Sequence, residues 1–291
     1  MSAAAPISTV RAAAGTRSGR RRLSPTLWTG ATLVALVLLA ATISYVWTPY
    51  DPVAIDASSR LLGPSAAHWL GTDALGRDVF SRIIVGARTT MFVGVIAVGV
   101  GASLGIPLGV FAAMSGRFGS ETIMRVVDIM LAFPALLLAI LFSAVWGAGT
   151  LTAMLAIGIA VAPAFARLVR AGTLQVMSTE YVLAARVAGK RELTIAGRHV
   201  LPNITTMLIV QASVAYATAV LAEAGLSYLG LGTPPPTPSW GRILQEAQTV
   251  LFSDPLLSLW PAAAIAVAVL GFNLLGDGLR DRFDPQLDDR R

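Results

Sequence analysis

Residues 180–203 read EYVLAARVAGKRELTIAGRHVLPN, a charged and partly helical stretch set between two long apolar segments. Ser178 or Thr179 is placed to cap a short helix whose first turn holds Glu180, an anion suited to the positive end of a helix. The small pair Ala184 and Ala185 lies on that helix, and Gly189 is positioned to end it. A second short helical run is expected over 191–200. Leu201, Pro202 and Asn203 are expected to stop it, because proline has no N–H to donate and disfavours helical geometry in the residue before it. The result is a bracket of two short helices at a membrane surface.

The apolar runs on either side set the class. Of 291 residues 55% are hydrophobic and 13% charged, and the mean hydropathy is +0.70, which excludes an ordinary soluble domain. The pattern predicts an all-α, polytopic membrane protein with six transmembrane helices. A net charge of +6 would suggest nucleic acid in a soluble protein, but membrane orientation accounts for it here, and no nucleic-acid partner is expected. The absence of cysteine excludes disulfides and thiolate metal sites. His68 and His199 have no partner at a metal-binding spacing, so no metal site is expected.

Residues 1–26 read as a disordered, basic cytoplasmic arm. Residues 27–47 follow as a first transmembrane helix, long enough for ~30 Å of hydrocarbon and ending in Tyr45 and Trp47 at the boundary. An extracytoplasmic loop covers 48–89. Within it Val79, Phe80, Ile83, Ile84 and Val85 alternate with Ser81, Arg82, Gly86 and Arg88, which predicts an interfacial amphipathic helix. That loop is either a gate or docking surface, or a segment that merely leads into the next span.

Five further helices fill a core domain over 90–277. The second span, 90–114, carries Gly101, Gly105 and Gly109 at four-residue steps, a smooth strip that lets another backbone approach, with a pore-lining role as the alternative. Pro107 lies within it. The third, 124–146, contains Asp128 and Pro134; Asp128, near a span end, is expected to pair with Arg125 or to snorkel rather than to bind substrate. The fourth covers 151–169 with Pro163 inside. After the bracket segment, 178–203, the fifth covers 204–221 and runs on to Glu223. TPPPTPSW, residues 233–240, should be extended and stiff, with a surface helix after it over 241–252. The sixth span, 257–275, precedes a charged tail, 278–291. Gly101, Gly105, Gly109, Pro134 and Glu223 are the candidate packing or path residues.

Lysine and arginine orient the chain. Of its 22 basic residues, only Arg60, Arg77, Arg82, Arg88 and Arg242 fall in outer loops when the amino terminus is inside. Basic residues favour the cytoplasmic side, so both termini and the bracket are expected there, in a multi-pass protein of the cell membrane.

Several chemistries are missing. The P-loop pattern G-x-x-x-x-G-K-[ST] cannot be met, since the only lysine is Lys190, in Gly189-Lys190-Arg191. There is no pair of mid-span carboxylates for a proton relay. No catalytic residue and no bound cofactor are expected. What remains is a passive pore, an ion-coupled carrier, a membrane scaffold, or a subunit driven by a partner ATPase.

The bracket resembles the coupling segment of type I ABC importer permeases, whose pattern is Glu-Ala-Ala, three residues, Gly, and a distal Ile and Leu-Pro. Ala184, Ala185, Gly189, Ile195, Leu201 and Pro202 match; Leu183 replaces the carboxylate, and Glu180 lies one turn earlier. HWLGTDALGRDVFSRIIVGAR (68–88), DIMLAFP (128–134), EAGLSYLGLGTPPPTPSWGRIL (223–244) and FNLLGDGLRDRFDP (272–285) look like C-type subunits of dipeptide, oligopeptide and nickel permeases. The resemblance covers roughly residues 25–287. It implies the type I importer transmembrane fold and a heterodimer with a B-type permease. It also implies two cytoplasmic ATPase domains that use ATP and Mg, an extracytoplasmic substrate-binding protein, and short peptides as cargo, with nickel chelates, haem or another solute as alternatives. It makes Glu180, Ala184, Ala185, Arg186, Gly189, Ile195, Leu201 and Pro202 the ATPase-coupling set. Arg186, Lys190, Arg191 and Arg198 would then complement acidic rims on the ATPase or meet lipid headgroups.

Overall fold

Long apolar runs with few breakers leave the backbone one way to satisfy its polar groups within a bilayer, and the chain is helical accordingly. The structure is a computed structural model and describes residues 24–283. The basic arm before Ser24 and the end of the tail after Phe283 lie outside the described residues. In chain order the helices are α1 (Pro25–Ile43), α2 (Val79–Met114), α3 (Arg117–Ala132), α4 (Ala135–Trp146) and α5 (Thr150–Met177). They continue as α6 (Glu180–Val187), α7 (Glu192–Ile195), α8 (Leu201–Tyr228), α9 (Trp240–Ala247) and α10 (Leu256–Phe283). Among the described residues, α1, α2, α5, α8 and α10 are each long and apolar enough to cross a membrane, and α3 with α4 makes a sixth crossing only as a bent pair.

Helix α2 packs against α5 and α8 at the centre, and α1 lies against α10. Tyr216 of α8 joins three of these helices. Its hydroxyl donates to Met91 O of α2 (2.9 Å) and its ring stacks on Phe272 of α10 at 3.9 Å. Between α1 and α2, residues 44–78 form a turn-rich loop that closes on itself where Thr72 N donates to Leu62 O (2.9 Å) and Thr72 bridges Asp78. Helix α9 folds back beside it, with Trp240 buried and its Nε1 donating to Ile83 O (2.8 Å).

Several expectations change. The interfacial helix and the second span are one helix of 36 residues, about 54 Å at 1.5 Å per residue and so longer than the hydrocarbon. Asp78 starts it, its carboxylate accepting from Ser81 N and Ser81 Oγ (2.7 Å each), and no proline follows before Pro107. Its supposed solvent face points inward: Ser81, Arg82 and Gly86 are buried. The third span is broken rather than straight, bending by 85° between α3 and α4. Phe133, which precedes Pro134, is extended (φ −85°, ψ 122°), the geometry that the proline ring imposes on its neighbour.

Pro202 does not end a helix. Residues 192–228 are continuous, because Ala196–Val200 forms a π turn in which Leu201 N donates to Ala196 O, five residues back. That wider register puts Pro202 in the first turn of α8, where a missing N–H is tolerated. Neither candidate cap closes α6: the Thr179 hydroxyl donates to Val176 O and the Ser178 hydroxyl to Gln175 O, both backward into α5. The charged tail begins as helix, since α10 runs to Phe283.

Candidate functional site

The bracket is built on its turn. Helix α6 ends where Gly189 takes φ +75°, with Lys190 N donating to Ala185 O (3.1 Å) and Gly189 N to Arg186 O (2.9 Å), the paired bonds of a Schellman end. Arg186 then reaches across the turn to Glu192 with two bonds, Nε to Oε1 at 2.8 Å and Nη2 to Oε2 at 3.2 Å. Both side chains are exposed, so the pair is worth at most about 1 kcal/mol, yet it directs Arg186 along the chain itself. Asn203 ties α8 to α6 by donating to Tyr181 Oη (3.2 Å).

The two faces of the bracket differ. Val182, Ala185, Ile195, Ala196 and Val200 are buried in one apolar cluster with Val110 of α2, Val169 and Met177 of α5 and Ile204 of α8. Of the alanine pair, Ala185 therefore points inward and only Ala184 is exposed. Tyr181, Leu183, Val187 and Leu193 project outward, with Val187 91% and Leu193 67% exposed. Glu180 and Pro202 are exposed and Leu201 is half-buried. An exposed apolar patch rimmed by charge is the mark of a protein contact.

Gly101, Gly105 and Gly109 lie along the contact between α2 and α5. A Cβ at Gly105 would stand 2.6 Å from Phe165 Cβ and press on Ala162 O, and one at Gly109 would meet Val169 Cβ at 2.7 Å. The strip is therefore a packing face. Glu223 is 1% exposed and its contacts are internal: Ser227 Oγ donates to its Oε1 (2.6 Å), and Thr233 N donates to Ser227 Oγ (3.0 Å), which folds the segment after α8 back onto the helix. Asp128 pairs with Arg167 of α5 (2.7 Å) rather than with Arg125, because the neighbouring helix brings a guanidinium closer than its own. That pair lies in an open cleft with Glu121, Met124 and Arg170.

A second cluster escaped the sequence reading. Asp73 and Glu246 are bridged twice, by Arg77 and by Arg82, and Arg242 bonds Glu246 from the rim. Arg82 is 2% exposed although the helical pattern put it on a solvent face. Burial pushes the Glu246 carboxyl up, but Arg82 and Arg77 beside it hold it below its ordinary value. The usable signal was energetic: four charges within TDALGRDVFSR, next to an apolar span, are costly to bury unless they pair.

The helices and the bracket define a polytopic helical bundle of the membrane-spanning class. Structural comparison agrees: the MetNI methionine ABC transporter in inward-facing form superposes with a TM-score of 0.59 at 19% identity, over 70% of this chain and 97% of that one, a likeness of fold. Residues 105–289 match the family described as binding-protein-dependent transport system inner membrane component. A glutathione transport system permease protein GsiD of Pectobacterium atrosepticum is 42% identical over 259 residues, 89% of this chain and 86% of the relative. A dipeptide transport system permease protein DppC of Alkalihalophilus pseudofirmus is 41% identical over 258 residues, 89% and 85%. The chain belongs to this family of importer inner membrane components, in the group of C-type permeases related to dipeptide and oligopeptide systems.

Proposed function

We propose that this permease forms half of a translocation path for short peptides, beside a B-type permease, and that 178–203 couples the path to two cytoplasmic ATPase domains. The ATPases bind and hydrolyse ATP with Mg, and an extracytoplasmic binding protein delivers cargo to the outer loops. Both termini lie in the cytoplasm. The observation that carries the reading is the two-sided bracket: one face is locked onto α2, α5 and α8, and the other offers Tyr181, Leu183, Val187 and Leu193 to a partner. Peptide cargo is favoured over nickel chelates or haem by the relatives, whose names specify a dipeptide and glutathione.

In this mechanism ATP binding draws the ATPases together, and the bracket moves with them. Because the bracket runs without a break into α8 and is joined to α5 by two residues, its displacement tilts both spans. Hydrolysis resets them. The residues act by shape: Gly189 makes the turn, Ala184 allows close approach, and Ala185 and Ile195 fix the inner face.

Gly189→Val tests this. Space is no obstacle, since nothing lies within 4 Å of an added Cβ, but φ +75° is forbidden to a β-branched residue and costs about 1–2 kcal/mol. That is too little to unfold the protein but enough to shift a conformational step about tenfold. The expected result is an assembled complex that hydrolyses ATP while uptake falls about tenfold; unchanged uptake sinks the coupling role. Orientation is checked separately by a reporter fused after Leu229. Alkaline phosphatase there should be active, and a fluorescent cytoplasmic fusion at that site overturns the assignment.

A further inference from the structure

At the outer end of the bundle, the turn at 73–77, the first turn of α2, α9 and the start of α10 enclose a cavity of about 340 Å³. Val79, Ile243 and Val250 give it an apolar side, and the ring of Asp73, Arg77, Arg82 and Glu246, with Arg242, a charged one. Every acceptor in the ring is taken. Asp73 Oδ1 accepts from the backbone N–H of Leu75 (2.8 Å) and Arg77 (3.0 Å), and Oδ2 from Arg77 Nε (2.7 Å) and Arg82 Nη1. Glu246 Oε2 accepts from Arg77 Nη2 (2.6 Å) and Arg82 Nη2 (2.8 Å), and Oε1 from Arg242 Nε (3.0 Å).

Donors are left over. Each guanidinium carries five N–H groups, and Arg82 Nε is buried without an acceptor. Three arginines face two carboxylates, so the cluster holds one positive charge in surplus. An anion entering the cavity neutralises that surplus and accepts charge-assisted hydrogen bonds from the guanidinium groups that line it. A single surplus charge matches a monoanion. The apolar wall asks for an aliphatic body on it, and the volume is that of a small-ligand site.

We propose that this cavity binds a monocarboxylate bearing a small apolar body. Two sources share that chemistry: the C-terminus of a short apolar peptide, or an acidic side chain beside an aliphatic one on a docked extracytoplasmic protein, the latter resting on the docking role proposed above. The cavity opens to the outside and lies among none of the residues assigned to coupling.

The test uses the full chain assembled with its partner permease and ATPases in lipid nanodiscs, and reads amide hydrogen exchange over 240–250. The probes are N-acetyl-leucine and its neutral counterpart N-acetylleucinamide. Near ten times its dissociation constant the acid should slow exchange about tenfold, and the amide should leave it unchanged. Arg242→Gln removes the surplus charge while leaving Asp73, Arg77, Arg82 and Glu246 balanced, so it should abolish the effect; Arg242→Lys, which keeps the charge, should retain it, so that a collapsed fold cannot pass for the expected loss. Equal protection by acid and amide, protection by neither, or acid protection that survives Arg242→Gln overturns the site. Ligand-free binding protein then separates the sources: competition with N-acetyl-leucine assigns the carboxylate to the partner, and simultaneous binding assigns it to a free peptide terminus. Because the probe need not be transported, the site can fail while the permease reading stands, and the reverse.

Discussion

Arg82→Met is expected to detach the loop over 44–78 of this permease from α9. The side chain is 2% exposed and bonds Asp73 on the loop and Glu246 on α9, two segments far apart in sequence. Removing Arg82 breaks two buried ion pairs and withdraws the donors that hold Asp73 to Glu246, at a cost of about 3–5 kcal/mol. The methionine fills much of the volume but supplies no donor, and Asp73 and Glu246 then share Arg77 alone as a buried cation. Because the loop and α9 meet at the edge of the fold, the loss is expected as local opening rather than global unfolding. Trypsin should cut at Arg60 and Arg77 in the variant while the helical signal persists. A loop as resistant in Arg82→Met as in the parent would refute the clasp.

The same ring sets an acid limit. Glu246 titrates below its ordinary value of 4.5 in the folded protein, so the unfolded chain binds its proton first as pH falls. The stability it contributes is complete above pH 4.5 and is lost as the pH drops through the folded value. Arg82→Met removes an opposing charge, raises that pKa and should move loop opening to higher pH.

Gly105→Leu is expected to prevent α2 and α5 from closing. The added Cβ meets backbone at Ala162 and the root of Phe165, neither of which can rotate away, and the rest of the leucine has no volume to enter. Overpacking usually costs about 1–3 kcal/mol, and a backbone contact belongs at the top of that range or beyond. In a bilayer, lipid competes for the same apolar surface, so the close approach that the glycines permit is itself the attraction between the helices. Gly99→Leu is the matched control, since nothing lies within 4 Å of a Cβ there. The expected outcome is a large loss of assembled complex for Gly105→Leu and none for Gly99→Leu, read by yield and melting temperature in detergent. Equal behaviour of the two would mean that the strip does not carry the packing.

Most of the helical layout was legible because hydropathy and spacing are local. The apolar runs are long enough to span whatever surrounds them, and the repeat of Gly101, Gly105 and Gly109 marks one face of one helix. The Gly189 turn was legible for the same reason, since a single glycine between two short polar helices meets a backbone need visible in sequence. Pro134 shows where this stops. A proline inside an apolar run permits either a kinked continuation or a break, and the 85° bend was chosen by what α4 packs against. Pro202 shows the converse, where a π turn absorbed a residue expected to end the helix.

By itself, the sequence determined the class of protein, the number of apolar segments, the bracket and its glycine turn, since each follows from the solvent a segment prefers and from backbone sterics at single residues. The tertiary structure alone decided which charges meet and which faces are hidden: Asp128 with Arg167, Arg186 with Glu192, Ala185 inward while Ala184 faces out, and Arg82 at the centre of a buried ring. Those outcomes depend on partners brought together across the fold. The energy of an ion pair or a packed face belongs to the pair, and neither member carries a local mark of the other.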